Sequence, residues 1–325
     1  MKPGLALAGL LLLAAAAQAA PITVTSEPLT AFQNLSPADR FGPFVWRGGL
    51  VLQSDDPKFG GLSGLVLGKN CEDLTAISDA GRWFTAELSY DGQMLVGLTA
   101  RDLSPMLDSK GKPQRSKVWG DAEAVTEIAP GRLGVAYESR VRLGTYDVGR
   151  LGPKARFVHI HYPKDIDTGD DNGEIEALGR VPVGPDKGAL LAISERHWDD
   201  EGRASAWLWR GGRVKRFAVA QLEDFEVTDL TILDDGTVLT LERSFSATSL
   251  PGMAIRRFPV TEVADGKVIT PELLFEGRVP FYAIDNMEGI AACRRDGETR
   301  ITIISDNNFN TRLQRSLILQ FAYQP

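Results

Sequence analysis

The sequence predicts an all-β chain folded as a β-propeller, and three observations carry that prediction. One two-strand pattern occurs five times, turn formers separate the strands of each pair, and no segment beyond residue 20 has the apolar spacing of a helix. Each copy opens with a short acidic-apolar strand and closes with an apolar strand ending in an acidic residue. Four strands at a period of roughly 40–60 residues make a propeller blade, whereas a β-sandwich has shorter and less regular repeats.

The first copy runs from Gly60-Gly61-Leu62-Ser63-Gly64-Leu65 to Leu74-Thr75-Ala76-Ile77-Ser78-Asp79. The second pairs Asp121-Ala122-Glu123-Ala124-Val125 with 133–140, and the third pairs Glu174-Ile175-Glu176-Ala177-Leu178 with 190–196. The fourth pairs Val227-Thr228-Asp229-Leu230-Thr231 with 237–243, and the fifth Asn286-Met287-Glu288-Gly289-Ile290 with 301–307. From Ser63 through Glu123, Glu176, Asp229 and Glu288 the steps are 60, 53, 53 and 59 residues. Pro130-Gly131, 185–188, Asp235-Gly236 and Asp296-Gly297 supply turns inside the pairs. Further strands follow at 83–88 with 94–99 and at 206–209 with 214–219, joined through Asp91-Gly92 and Gly211-Gly212. The strand at 316–322 leaves the fifth unit one short. An N-terminal strand, 22–26 or 44–52, completes it and closes the ring, which removes the exposed edges. Five blades are expected, with a sixth assembled from both termini as the alternative.

Composition narrows the class. Of 325 residues 24% are charged and 43% hydrophobic, which excludes a disordered chain, a collagen repeat and a coiled coil. The net charge of −7 and the lack of any basic run argue against a nucleic-acid partner. Lys2, the apolar stretch 5–17 and Ala17-Gln18-Ala19 form a signal peptide, 1–19, cut after Ala19. No other hydrophobic stretch reaches 18 residues, so the expected mature protein, 20–325, is a single exported domain, monomeric and without an integral membrane segment. Export makes Cys71 and Cys293 a disulfide candidate, against the alternative of two buried thiols. In a five-bladed ring their turns are neighbours, with Cα atoms about 5–6 Å apart. In a six-bladed ring a whole blade separates them.

Propeller geometry turns the repeat into a site. The innermost strand of each blade lines the channel and the second returns beside it, so the start of one and the end of the other share a face. Glu123, Glu176, Asp229 and Glu288 sit at the starts, and Asp79, Glu138, Glu195, Glu242 and Asp306 at the ends. Asp121 and Glu174 lie two residues upstream of their starts. Arg140, Arg196 and Arg243 follow the acidic ends of three copies, Asn307 and Asn308 that of the last. One reading has each carboxylate latch a neighbouring blade. The other has the funnel of like charges held by a hard divalent cation, Ca2+ above all. In that second reading Asp79, Glu138, Glu195, Asp229 and Glu242 ligate the ion, and Glu123, Glu176, Glu288 and Asp306 act in catalysis. Arg140, Arg196 and Arg243 then take an anionic substrate group, and His197 is a candidate general acid or base. The acidic loop 165–174 and the pair His159 and His161 are weaker candidates, and no Gly-x-Ser-x-Gly elbow occurs.

At these motifs the chain resembles the phytase-like family, described as "esterase-like activity of phytase". The matching pieces are 60–65 with Ser78-Asp79, Glu123-Ala124-Val125 with Glu138, and Asn286-Met287-Glu288-Gly289-Ile290 with Ser305-Asp306-Asn307-Asn308-Phe309. The resemblance implies an exported bacterial protein, periplasmic or secreted, that hydrolyses phosphoesters. A more distant likeness, at the level of fold, is to calcium-dependent β-propeller phytases. Ser63 stands where later copies carry Glu, so the acidic ring is uneven. The alternative function is a non-catalytic propeller binding a sugar, a peptide or an envelope component at the same mouth.

Overall fold

Alternating apolar residues bounded by glycine turns drive each copy into an antiparallel meander. The structure, a computed structural model, describes residues 22–325 apart from 115, 168–174 and 247–248. It is a five-bladed β-propeller. Blade one comprises Leu62–Leu67, Asp73–Ser78, Arg82–Asp91 and Met94–Pro105, and blade two Ala122–Ala129, Arg132–Tyr137, Arg142–Tyr146 and Val158–His159. Blade three comprises Ala177–Arg180, Leu190–Trp198, Ala204–Arg210 and Arg213–Val219, to which Val268–Ile269 adds in parallel. Blade four comprises Glu226–Ile232, Thr237–Ser246, Ser249–Pro259 and Glu272–Arg278. Gly131, Gly236 and Gly297 turn the first strand into the second at φ of 71°, 89° and 82°, a region that costs other residues strain.

Blade five closes the ring. Asn286–Arg295, Glu298–Asp306 and Ser316–Tyr323 come from the C-terminal end of the chain, and Phe44–Gln53 pairs antiparallel with Ser316–Tyr323 as the fourth strand. Of the two N-terminal candidates the second closes the blade; the first, expected at 22–26, forms instead as Thr25–Pro28 and adds outside Phe44–Gln53. The innermost strands pack against one another in a closed cycle, blade five meeting blade one. A Cβ on Gly289 would lie 3.0 Å from the Cα of Gly64, so this contact requires glycine. Leu50, Leu52, Ile304 and Ile318 then fill the seam with Leu62, Leu65, Leu74 and Phe84.

On the face opposite the acidic ends, Cys71 and Cys293 form a disulfide across the same seam, with Cα atoms 5.6 Å apart. Arg295 covers it, 2.9 Å from Glu72 and 3.9 Å over the Tyr90 ring, while the Tyr90 hydroxyl donates to the Cys71 carbonyl at 2.7 Å. The helices are single turns such as Lys117–Gly120 and Val148–Leu151, and among the described residues none is long and apolar enough to cross a membrane. The segment expected to be a signal peptide, and Glu174 with most of the acidic loop, lie outside the described residues. Asp165, at the start of that loop, is bound by Arg216 and by the Trp207 indole N–H.

Candidate active site at the channel mouth

A β-bulge recurs near the start of the innermost strand and decides which side chain enters the channel. The extra residue falls between Leu62 and Gly64, Ala122 and Ala124, Val227 and Asp229, and Met287 and Gly289. Bulged residues are unpaired and re-aimed. The ring they define is Ser63, Glu123, Thr228 and Glu288, with Glu176 entering just ahead of Ala177–Arg180. In the fourth blade the sequence spacing points to Asp229, and the structure corrects this by one residue to Thr228. Ser63 and Thr228 behave alike: their hydroxyls donate to the carbonyls of Ala122 and Met287 in the next blade, at 2.5 and 3.0 Å.

The second strand carries the same one-residue correction. Ser78, Tyr137, Glu242 and Ser305 face the residue before each bulge, so the next residue along reaches the mouth. Those next residues are Asp79, Glu138, Arg243 and Asp306, and Glu195 takes the corresponding place in blade three. A slip of one residue sends a strand side chain to the other face of its sheet. Glu242 is accordingly buried inside blade four, on Arg256 and the Thr240 hydroxyl, both at 2.7 Å. Asp229 is buried as a latch, accepting the backbone N–H groups of Leu230 and, across the blade seam, Ile290, both at 2.8 Å. Neither reaches the ring of prospective ion ligands.

Arg243 thus places a guanidinium among the carboxylates. It donates to Glu195 at 2.8 Å, to Asn286 at 2.7 Å and to Glu288, tying blades three, four and five together. Burial opposes its charge, but Glu288 and Glu195 outweigh that and raise its pKa. Arg196 is held by Glu226 at 3.1 Å and lies near Glu195. Arg140, the third arginine of the pattern, is exposed and has no carboxylate partner among the described residues.

The opposite side of the mouth is a cluster of carboxylates. Carboxylate oxygens of Asp121, Glu123 and Glu138 lie within 4.8 Å of one another, as do those of Glu138, Glu176 and Glu195. Glu138 belongs to both groups. Glu176 is 8% exposed and has no hydrogen bond or ion pair among the described residues. One oxygen of Asp121 is buried without a hydrogen-bond partner, Lys117 standing 3.9 Å away, while the Ser139 hydroxyl holds the other. Burial, then Glu176, Asp121 and Glu138, push the Glu123 carboxyl well above the carboxylate range. Burial, then Glu195, Glu138 and Glu288, do the same to Glu176. A buried Asp121 oxygen without a hydrogen-bond partner, among carboxylates that repel one another, suits a hard cation, which takes six to eight oxygen ligands. These residues fit a divalent ion.

The remaining acids differ in kind. Burial pushes Asp306 up to about 6, although the Asn308 N–H holds one oxygen at 2.7 Å. Burial pushes Glu288 up to about 8 against the pull of Arg243. Asp79 is raised by burial while Lys117 binds it at 2.9 Å. A Cβ on Gly61, whose φ is +63°, would lie 1.9 Å from an Asp79 oxygen, so the Gly60-Gly61 pair lets the backbone wrap this carboxylate. The His197 ring lies tilted by 36° against Trp207 on the third strand of its blade, 5.5 Å between centroids, and His159 and His161 sit together on the outer strand side, 5.5 Å apart. The spacing missed Thr228 and Lys117 at the mouth. The hydroxyl at Ser63 in the first copy was the available signal for Thr228.

Fold and site define an acidic-mouthed five-bladed propeller in which two blades bring hydroxyls to the ring and one brings a guanidinium. The family model for Phytase-like, esterase-like activity of phytase, matches residues 57–309, and the chain belongs to that family. No curated protein matches the sequence. Among solved structures, an endo-arabinase from Bacteroides thetaiotaomicron is 14% identical with a TM-score of 0.49, covering 82% of this chain and 95% of its own. A gluconolactonase from Xanthomonas campestris is 13% identical with a TM-score of 0.42, covering 94% and 98%. An α-L-arabinanase from Cellvibrio cellulosa is 11% identical with a TM-score of 0.44, covering 79% and 90%. No chemistry is taken from these three likenesses.

Proposed function

We propose that the chain is an exported hydrolase of phosphoesters that works at the acidic mouth with a divalent cation, Ca2+. One observation carries the reading: Glu123, Glu138 and Glu176 converge, largely buried, and among the described residues no basic side chain is paired to Glu123 or Glu176. Membership of the phytase-like family supports the same substrate class. Glu138 would hold the ion with Asp121 and Glu123 on one side and with Glu176 and Glu195 on the other. When bound, such an ion polarises a phosphoryl oxygen and lowers the pKa of water. Glu288 keeps a proton near neutral pH, and Asp306 gains and loses one close by, so this pair supplies donor and acceptor beside the cation site. Arg243 holds Glu288 and Glu195 in place for this chemistry. The N-terminal apolar segment and the disulfide favour a periplasmic or extracellular location.

The test is hydrolysis of a generic phosphomonoester and a phosphodiester by folded protein, with Ca2+, with other divalent ions and with chelator. Turnover that needs the ion is expected. No turnover under any ion would replace the enzyme by a binding propeller using the same mouth.

A further inference from the structure

The three arginines that follow the acidic ends of the repeats have different fates, and the difference points to a subsite. Arg196 and Arg243 are held by carboxylates. Arg140 instead lies over the Trp119 ring, its guanidinium carbon 4.8 Å from the ring centroid. Arg142 reaches the same indole at 5.1 Å and covers Tyr137 at 4.1 Å. It also donates to the Trp119 carbonyl and, at 3.5 Å, to the Arg140 carbonyl, which ties the two segments together. Neither arginine has a carboxylate within ion-pair distance among the described residues, although Asp121, Glu123 and Glu138 lie in the same blade. Trp119 stays 42% exposed.

The Arg140 guanidinium, without a carboxylate partner among the described residues and with Arg142 adding positive charge beside it, offers an anion paired N–H donors. An exposed indole offers a flat apolar platform to any ring attached to the anion. Resting on the phosphoester reading, we infer that Arg140 and Trp119 form the leaving-group side of the site, selecting phosphoesters with a flat ring, aryl or nucleoside, over alkyl ones. Arg140 takes a phosphoryl oxygen beside the Asp121, Glu123 and Glu138 carboxylates. Trp119 stacks on the ring, and Arg142 positions both from behind.

The subsite can be read without turnover, by calorimetric titration of the full chain in Ca2+ with phenylphosphonate, methylphosphonate and inorganic phosphate. Stacking on one aromatic side chain is worth roughly ten- to a hundredfold in affinity. Wild-type protein should therefore prefer phenylphosphonate to methylphosphonate by about tenfold or more. Trp119→Ala should abolish that preference and leave methylphosphonate unchanged, Trp119→Phe should restore it, and Arg140→Gln should weaken all three ligands. His159→Ala is the control and should match wild type. No preference in the wild type, or a preference that survives Trp119→Ala, overturns the inference. The two readings fail separately. Phenylphosphonate bound through Trp119 with no turnover under any ion leaves the subsite and removes the hydrolase. Ion-dependent turnover with no role for Trp119 leaves the hydrolase and removes the subsite.

Discussion

Arg243 is a largely buried cation of the mouth, and replacing it by Met isolates what its charge does. The substitution keeps length and apolar contact but leaves Glu195 and Glu288, 4% and 12% exposed in their side chains, without their partner. Removing one member of a buried ion pair costs about 3–5 kcal/mol, because the other charge stays buried. For a domain of some 300 residues unfolding entropy is about 0.6 kcal/mol/K, so the melting temperature should fall by about 5–8 °C. The loss must also depend on pH. Burial already holds the Glu288 carboxyl up to about 8 and raises Glu195, despite Arg243. In Arg243→Met both rise further. A carboxyl with a folded pKa above its unfolded value binds more protons folded than unfolded, so stability falls as pH rises between the two values. The deficit should therefore be small near pH 4, where both carboxyls are protonated in either protein. It should open as Glu195 and then, from about 8, Glu288 ionise in the wild type, and be full only above the higher values of the variant. Urea denaturation of both proteins at pH 5 and pH 9, with chelator present, measures this. Equal deficits at the two pH values would assign the loss to packing and refute the electrostatic account.

Four further outcomes are expected. Millimolar Ca2+ should raise the melting temperature by several degrees over chelator, since an ion at a hundred times its Kd stabilises by about 2.7 kcal/mol; superimposed melting curves would count against the cation site. Replacing Cys71 and Cys293 together by Ser opens a loop with a sequence separation of 222. Chain entropy puts that loss at about 5 kcal/mol, and an unchanged urea midpoint would show that the seam holds without the bond. Glu176→Gln and Glu288→Gln should depress phosphoester turnover far more than His159→Ala, and the reverse order would move the site off the mouth. The intact mass of protein recovered after export should lack residues 1–19, and a retained Met1 would contradict the proposed cleavage.

The strand pairs were legible because alternation and glycine turns are local properties of the chain. The link between Cys71 and Cys293 followed from blade count, a global property that the five copies expose. Register at the bulges was not legible. Val-Thr-Asp-Leu-Thr in the fourth copy offers a hydroxyl and an acid side by side, and counting acids chose Asp229 over Thr228. The same preference selected Glu242 over Arg243 on the partner strand. Spacing cannot see a bulge, since the extra residue shifts which face each side chain takes without changing the apolar pattern beyond it. The outcome reversed the sign of one ring position, because the fourth blade contributes a cation where an anion was expected.

The closure of blade five has a consequence for how the chain matures. Phe44–Gln53 pairs with Ser316–Tyr323, a strand buried at every residue, so its hydrogen-bonding partner emerges only after the first four blades. While synthesis proceeds, an apolar segment that includes Phe44, Trp46, Leu50 and Leu52 waits as an open edge. Such edges template wrong pairings between chains, and contacts this distant in sequence form slowly. The nascent protein must therefore pass through a ring with one gap, exposed in proportion to the time its last strand takes to arrive. A chaperone that masks extended apolar strands would act on that gap, and loss of Ser316–Tyr323 would leave it permanently open.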